Sequence, residues 1–367
     1  MSHETIQKAG VANKLETSAP EILENLVRLA ERAGASDIHL QMRGKVAEAG
    51  FRLDGLIVPG SELPADVAER VFGRIKFLAR LKTYQESLPQ DGRISRDELK
   101  CQNDLRVATY PTVTGEKIVL RLFNSTSVKT LGELEFSENV RPGLEKFLSQ
   151  PSGLLLLTGP AGSGKTTTIY ACLRQLAEQG GRHIITVEDP VEQIVPGTMQ
   201  TEINEAIGLD FARATRHLLR QDPQVLILGE IRDDATAQLA IRAGLTGHLV
   251  ISTLHAGSCR GVFERLLTMC PDRSAIASAV ELVLNQRLMR KVCSACTGAG
   301  CETCLQTGYQ GRVPLVESLR MDETVREKIR GGELAAIAPV QTLENAARSL
   351  LQSGVTNEVE FKRIFGL

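Results

Sequence analysis

Residues Gly159, Pro160, Ala161, Gly162, Ser163, Gly164, Lys165 and Thr166 spell GPAGSGKT, a glycine-broken loop ending in an amine and a hydroxyl. Such a loop lets backbone N–H groups converge on phosphate oxygens, and a helix beginning at its end turns its positive pole toward them. Lys165 then reaches the β- and γ-phosphates of a nucleotide such as ATP, Thr166 ligates Mg²⁺ through its hydroxyl, and Thr167 continues the cradle. The string follows the apolar run LLLLTG and precedes TTIYACLRQL. That strand-then-helix setting is what the motif requires.

Phosphate chemistry also needs carboxylates to hold the metal and turn a water. VLILGE places Glu230 at the end of a buried strand, in the manner of a Walker B segment, and so makes Glu230 a second Mg²⁺ candidate beside Thr166. ITVEDPVE places Glu188 and Asp189 at another strand end, where carboxylates orient water or hold Mg²⁺. His248 and His255 bracket the strand HLVISTLH and read as phosphate sensors or hydrogen-bond organisers on the same sheet edge. A separate constellation is Cys293-x2-Cys296-x4-Cys301-x2-Cys304, four thiolates suited to tetrahedral Zn²⁺ in a structural site.

The elements that must position these groups divide the chain in two. Its 367 residues suit two domains. Residues 1–17 read as a disordered tail, 18–124 as a small α+β domain, 125–150 as a linker, and 151–367 as an α/β domain. In the first, EILENLVRLAERAG and ADVAERVFGRIKFLARL have helical spacing, and CQNDLRVATYPTVTGEKIVLRLF reads as a hairpin. In the second, apolar runs alternate with helices, which implies a mostly parallel sheet covered on both faces. Residues 262–367 read as mainly helical, interrupted by the cysteine cluster.

Composition narrows the partners. A net charge of −1, no tryptophan and 4% aromatic residues leave little basis for gripping nucleic acid, whose backbone needs a basic surface and whose bases need stacking platforms. The polar start has no signal-peptide core, and no apolar run reaches membrane-spanning length. The chain is expected to be soluble and cytoplasmic. The other cysteines, Cys101, Cys172, Cys259 and Cys270, are scattered, as in a reducing compartment.

GPAGSGKTTTIY, ITVEDPVE, LLRQDPQVLILGEIRD and AGLTGHLVISTLHA resemble, in order and spacing, the Walker A, Asp box, Walker B and His box of the ATPases that drive type II secretion and type IV pilus assembly, the GspE/PilB group. SDIHL, FRLDG, LPQDGRI and GYQGR extend the resemblance over nearly all of residues 20–367. The resemblance implies a PAS-like N-terminal domain hinged to a RecA-like P-loop ATPase domain, assembled as a homo-hexamer. It implies ATP between the two domains, Glu188 as the base that orients water, and Glu230 in the Mg²⁺ shell, with those two roles exchangeable. By the same match Arg106 and Arg121 correspond to arginines that the N-terminal domain brings to the phosphates. An inner-membrane platform protein and peripheral membrane attachment are the implied partners.

The chain departs from the group in places. Four residues separate the two cysteine pairs where a longer stretch is usual, fewer than twenty residues precede the first shared helix, and Gln41 and Ala256-Gly257 replace commoner residues. The tetracysteine cluster resembles assembly and secretion members and favours them over pilus retraction ATPases. Retraction, and a nucleotide-binding scaffold without turnover, are the alternatives.

Overall fold

A computed structural model describes residues 18–123 and 129–366. The tail expected at 1–17 and residues 125–128 of the expected linker lie outside the described residues. The chain divides into two compact units, Met1–Thr126 with Val292–Gly311, and Ser127–Lys291 with Arg312–Leu367.

The first unit contains α1 (Ala19–Ala33), β1 (Asp37–Arg43), β2 (Val46–Leu53), β3 (Leu56–Pro64), α2 (Ala65–Leu78), β4 (Gln90–Ile94), α3 (Arg96–Leu99), β5 (Asp104–Thr112) and β6 (Gly115–Phe123). Helix α1 forms because Ile22, Leu23, Leu26, Val27 and Ala30 recur on one buried face. Glu21 caps its start by accepting from the Ser18 N–H at 3.0 Å, and Gly34 ends it at φ 69°. The strands make an antiparallel sheet in the order β3-β2-β1-β6-β5-β4. The β5–β6 hairpin is the one read from sequence, with Leu105, Val107, Thr109, Ile118, Leu120 and Leu122 buried.

The second unit contains α4 (Arg141–Leu148), β7 (Gly153–Thr158), α5 (Lys165–Gln179), β8 (Ile184–Glu188), β9 (Met199–Glu202), α6 (Phe211–Leu218), β10 (Val225–Leu228), α7 (Asp234–Leu245), β11 (Leu249–Thr253), α8 (Cys259–Met269) and α9 (Arg273–Ala279). It continues with β12 (Val280–Val292), β13 (Tyr309–Arg320), α10 (Glu323–Gly331), α11 (Leu343–Gln352) and α12 (Glu358–Phe365). The strand order is β13-β12-β7-β11-β10-β8-β9, parallel from β12 to β9. On β7, Leu154 and Leu156 enter one core while Leu155 and Leu157 enter the core on the other face. That alternation is why the strand reads as an unbroken leucine run.

Three features correct the sequence reading. Residues 280–292 and 309–320 are long strands at one side of the sheet, so the helices of the C-terminal region are interrupted by two strands as well as by the cysteine cluster. In VELVLNQRLMRKV most positions are buried on both faces, which erases the alternation that would mark a strand. The segment read as a linker holds α4, whose Leu144, Phe147 and Leu148 pack in the same core as α5. The cysteine segment belongs to the first unit. Its Leu305 packs against that unit's core, and Gly311 N–H donates to Asp54 Oδ2 at 2.9 Å.

Candidate functional site

The parallel strands place their carboxyl ends along one edge, and the candidate groups follow them. The GPAGSGKT loop leaves β7, Glu188 is the last residue of β8, Glu230 stands two residues past β10, and His255 two past β11. Ligand sites in open α/β sheets lie along such an edge. A single cleft there is lined by Lys165, Thr166, Glu188, Glu230 and His255, together with Tyr170 and other residues.

Lys165 opens α5, and its Nζ donates to the carbonyls of Gly159 (2.8 Å) and Pro160 (2.9 Å). Burial lowers its pKa and the nearby Glu230 carboxylate works against that shift. Thr166 and Thr167 are exposed on the first turn, and of these two only Thr166 lines the cleft.

Glu188 is buried and held by three donors. Tyr170 Oη donates to Oε2, while Thr186 Oγ1 and Gln200 Nε2, the latter at 3.0 Å, donate to Oε1. A carboxylate has about four acceptor positions, so one remains for a water. The Tyr170 oxygen in turn accepts from the N–H groups of Glu192 (3.0 Å) and Gln193 (3.2 Å). Burial and the bond to Glu188 push the Tyr170 hydroxyl well above the usual phenol range, so it remains a donor.

Glu230 receives a hydrogen bond from Arg232, which also lies 3.5 Å from Asp189, and His255 Nε2 is 3.5 Å from its other oxygen. The loop after His255 is anchored by main-chain bonds. Thr158 Oγ1 donates to the Ala256 carbonyl and accepts from its N–H, both at 2.8 Å. Those bonds make no demand on the side chain at 256.

His248 is a correction. It precedes β11 whereas His255 follows it, so seven residues of extended chain set them on the order of 20 Å apart. The His248 carbonyl accepts from Gly153 N–H at the start of β7, and its Nδ1 lies 3.1 Å from the Ala243 carbonyl. Two histidines that bracket a strand in sequence stand at its opposite ends, and His248 does not line the cleft.

Arg106 and Arg121 belong to the first unit and face each other across the β5–β6 register. Arg121 Nε donates to Asp37 at 2.8 Å, and Arg52 binds the other Asp37 oxygen at 3.1 Å. Burial alone would raise the Asp37 pKa, but bonds from Arg121 and Ser36 and the charges of both arginines hold it below the ordinary carboxylate value. Arg106 has a looser exposed pairing with Asp91, 3.7 Å away. Sequence reasoning missed Asp37, Tyr170, Gln200 and Arg232. Asp37, Tyr170 and Arg232 lie within the stretches SDIHL, GPAGSGKTTTIY and LLRQDPQVLILGEIRD, but nothing in those strings announces their contacts, and Gln200 lies outside them.

The four cysteine sulfurs gather within 4.8 Å of one another. Cys293–Cys301, Cys296–Cys304 and Cys301–Cys304 are 3.9, 3.8 and 3.7 Å apart. A tetrahedron with metal–sulfur bonds of about 2.3 Å has edges of about 3.8 Å, so the four can hold one metal ion. Backbone N–H groups of Gly300, Cys301 and Gly308 are aimed at the sulfurs of Cys296 and Cys304 at 3.2–3.3 Å. Burial would raise Cys304, yet the bonds from Cys301 and Gly308 bring it down to about 6, while burial pushes Cys293 up to about 11.

Among the described residues no helix is long and apolar enough to cross a membrane. The family model for type II/IV secretion system proteins matches residues 13–363. The chain is 39% identical over 342 residues to the type II secretion system protein E of Pseudomonas aeruginosa, covering 86% of this chain and 68% of that one. It is 36% identical over 368 residues to the type IV pilus assembly ATPase PilB of Thermus thermophilus, covering 93% of this chain but 41% of that protein's length. The crystal structure of the pilus retraction motor PilT with bound ADP superposes with a TM-score of 0.67 at 26% identity, covering 95% of this chain and 97% of that one.

Proposed function

The chain belongs to the type II/IV secretion system protein family, and we propose that it is a hexameric ATPase motor powering assembly of a type IV pilus or a type II secretion pseudopilus. The cleft that unites Lys165, Thr166, Glu188, Glu230 and His255 carries the reading. Lys165 and the loop N–H groups bind the β- and γ-phosphates of ATP, Thr166 and Glu230 hold Mg²⁺, and Glu188 orients the attacking water. Bound Mg²⁺ supplies charge neutralisation to the phosphate oxygens. His255 organises hydrogen bonds beside Glu230. The N-terminal unit is a PAS-like domain and the second is RecA-like. The motor works at the cytoplasmic face of the inner membrane on a platform protein, without nucleic acid.

The test is steady-state ATP turnover of the purified chain with particle mass read by light scattering. Turnover by a hexamer supports the motor. A nucleotide-bound monomer that stays inactive when membrane components are added overturns it in favour of a scaffold. The likeness to PilT keeps retraction as the second reading, against which the cysteine cluster stands.

Arg106 and Arg121 supply positive charge to the transition state in this proposal. Arg106→Ala is expected to lower kcat about tenfold to a hundredfold with a much smaller change in nucleotide Kd. A defect confined to Kd would contradict a transition-state role. The cysteines hold structural Zn²⁺, which fixes the segment against the first unit. Metal analysis is expected to find about one Zn²⁺ per chain, and a Cys301→Ser protein that kept its full metal content would refute the site.

A further inference from the structure

The catalytic reading leaves Gln286 on β12 without a task, although it is 2% exposed and lies against the phosphate loop. Its Nε2 donates to the Ser163 carbonyl at 2.9 Å, and its Oε1 accepts from Thr168 Oγ1 on α5 at 2.9 Å. Its backbone comes equally close. A Cβ on Gly159 would lie 2.2 Å from the Gln286 carbonyl oxygen, and one on Gly164 would lie 2.7 Å from its Nε2. The main chain of β12 therefore demands glycine at 159, the Gln286 amide crowds position 164, and the φ values of 133° and 88° favour glycine at both.

In a trans peptide the Ser163 carbonyl and the Gly164 N–H point in opposite directions. Drawing that carbonyl onto Gln286 turns the Gly164 N–H away from β12. A primary amide suits the task because it is neutral and offers a donor and an acceptor side by side. We propose that Gln286 is a positioning residue for the nucleotide: its clamp on Ser163 and Thr168 keeps the phosphate loop in the conformation that presents N–H groups to phosphate. The proposal rests on the reading of that loop as a nucleotide site.

Equilibrium binding of a fluorescent ADP to the purified full chain with Mg²⁺ tests it without recourse to turnover, alongside melting of the nucleotide-free protein. Gln286→Leu is expected to raise Kd about tenfold, and Thr168→Val about threefold. The double variant should bind no worse than Gln286→Leu, because both changes release one clamp. A lowered melting temperature with unchanged Kd in the folded variants would mean a purely structural role and would overturn the proposal, as would fully additive losses. If Gln286→Leu does not fold, Thr168→Val decides by the same criterion. Failure of the wild-type chain to bind ADP would instead remove the nucleotide reading itself.

Discussion

Lys165→Ala is expected to abolish ATP turnover, by about 10³-fold or more, or about 4 kcal/mol of transition-state stabilisation. The cleft is short of positive charge. Of its lining residues only Lys165 is a lysine or arginine, while Glu188, Asp189, Glu192 and Glu230 are acidic. Without the ammonium, a nucleotide phosphate entering that ring of carboxylates meets repulsion that the loop N–H groups and bound Mg²⁺ must offset in its place. The ammonium is already tethered at the loop by the Gly159 and Pro160 carbonyls, so little side-chain entropy remains to be lost when phosphate replaces them. Truncation frees two partly solvated carbonyls and opens no core cavity, so the melting temperature of the nucleotide-free chain should change little. Phosphate release measured under saturating Mg-ATP decides the matter. Wild-type rates in the variant would overturn the assignment of the site.

The gathering of Lys165, Glu188 and Glu230 in one cleft was legible because the loop is a run of contiguous residues and because an acid at or just past a strand end shows locally. What escaped depends on chain that is distant in sequence. Gln286 touches Ser163 from 123 positions away, on a strand whose two-sided burial hides its period. Tyr170 has the look of a core aromatic on α5, and only the fold reveals that its hydroxyl meets Glu188 and the turn after β8. The cysteines announced a four-sulfur cluster by spacing, but the unit they join is set by Leu305 and by the Asp54–Gly311 bond. His248 misled for the complementary reason. Adjacency to a strand says nothing about which end of it faces the ligand.

Glu188→Gln is expected to lower turnover by about 10²- to 10⁴-fold while nucleotide binding persists, as for loss of a base that acts on water. The substitution is more disruptive than its size suggests. Tyr170 Oη already accepts two backbone N–H groups, so it can only donate toward position 188. Gln200 is fixed as well, since its Oε1 accepts from Val195 N–H at 2.7 Å and its Nε2 also donates to the Gln193 carbonyl at 2.9 Å. A carboxylate accepts from both neighbours. A glutamine must present its own NH₂ to one of them, leaving a donor–donor clash that costs about 1–3 kcal/mol of stability. Turnover, ADP binding and melting temperature together separate the two consequences. Lost turnover with retained binding assigns the base to Glu188. Retained turnover would move that role to Glu230, whose single arginine tie and greater exposure leave it freer to engage water.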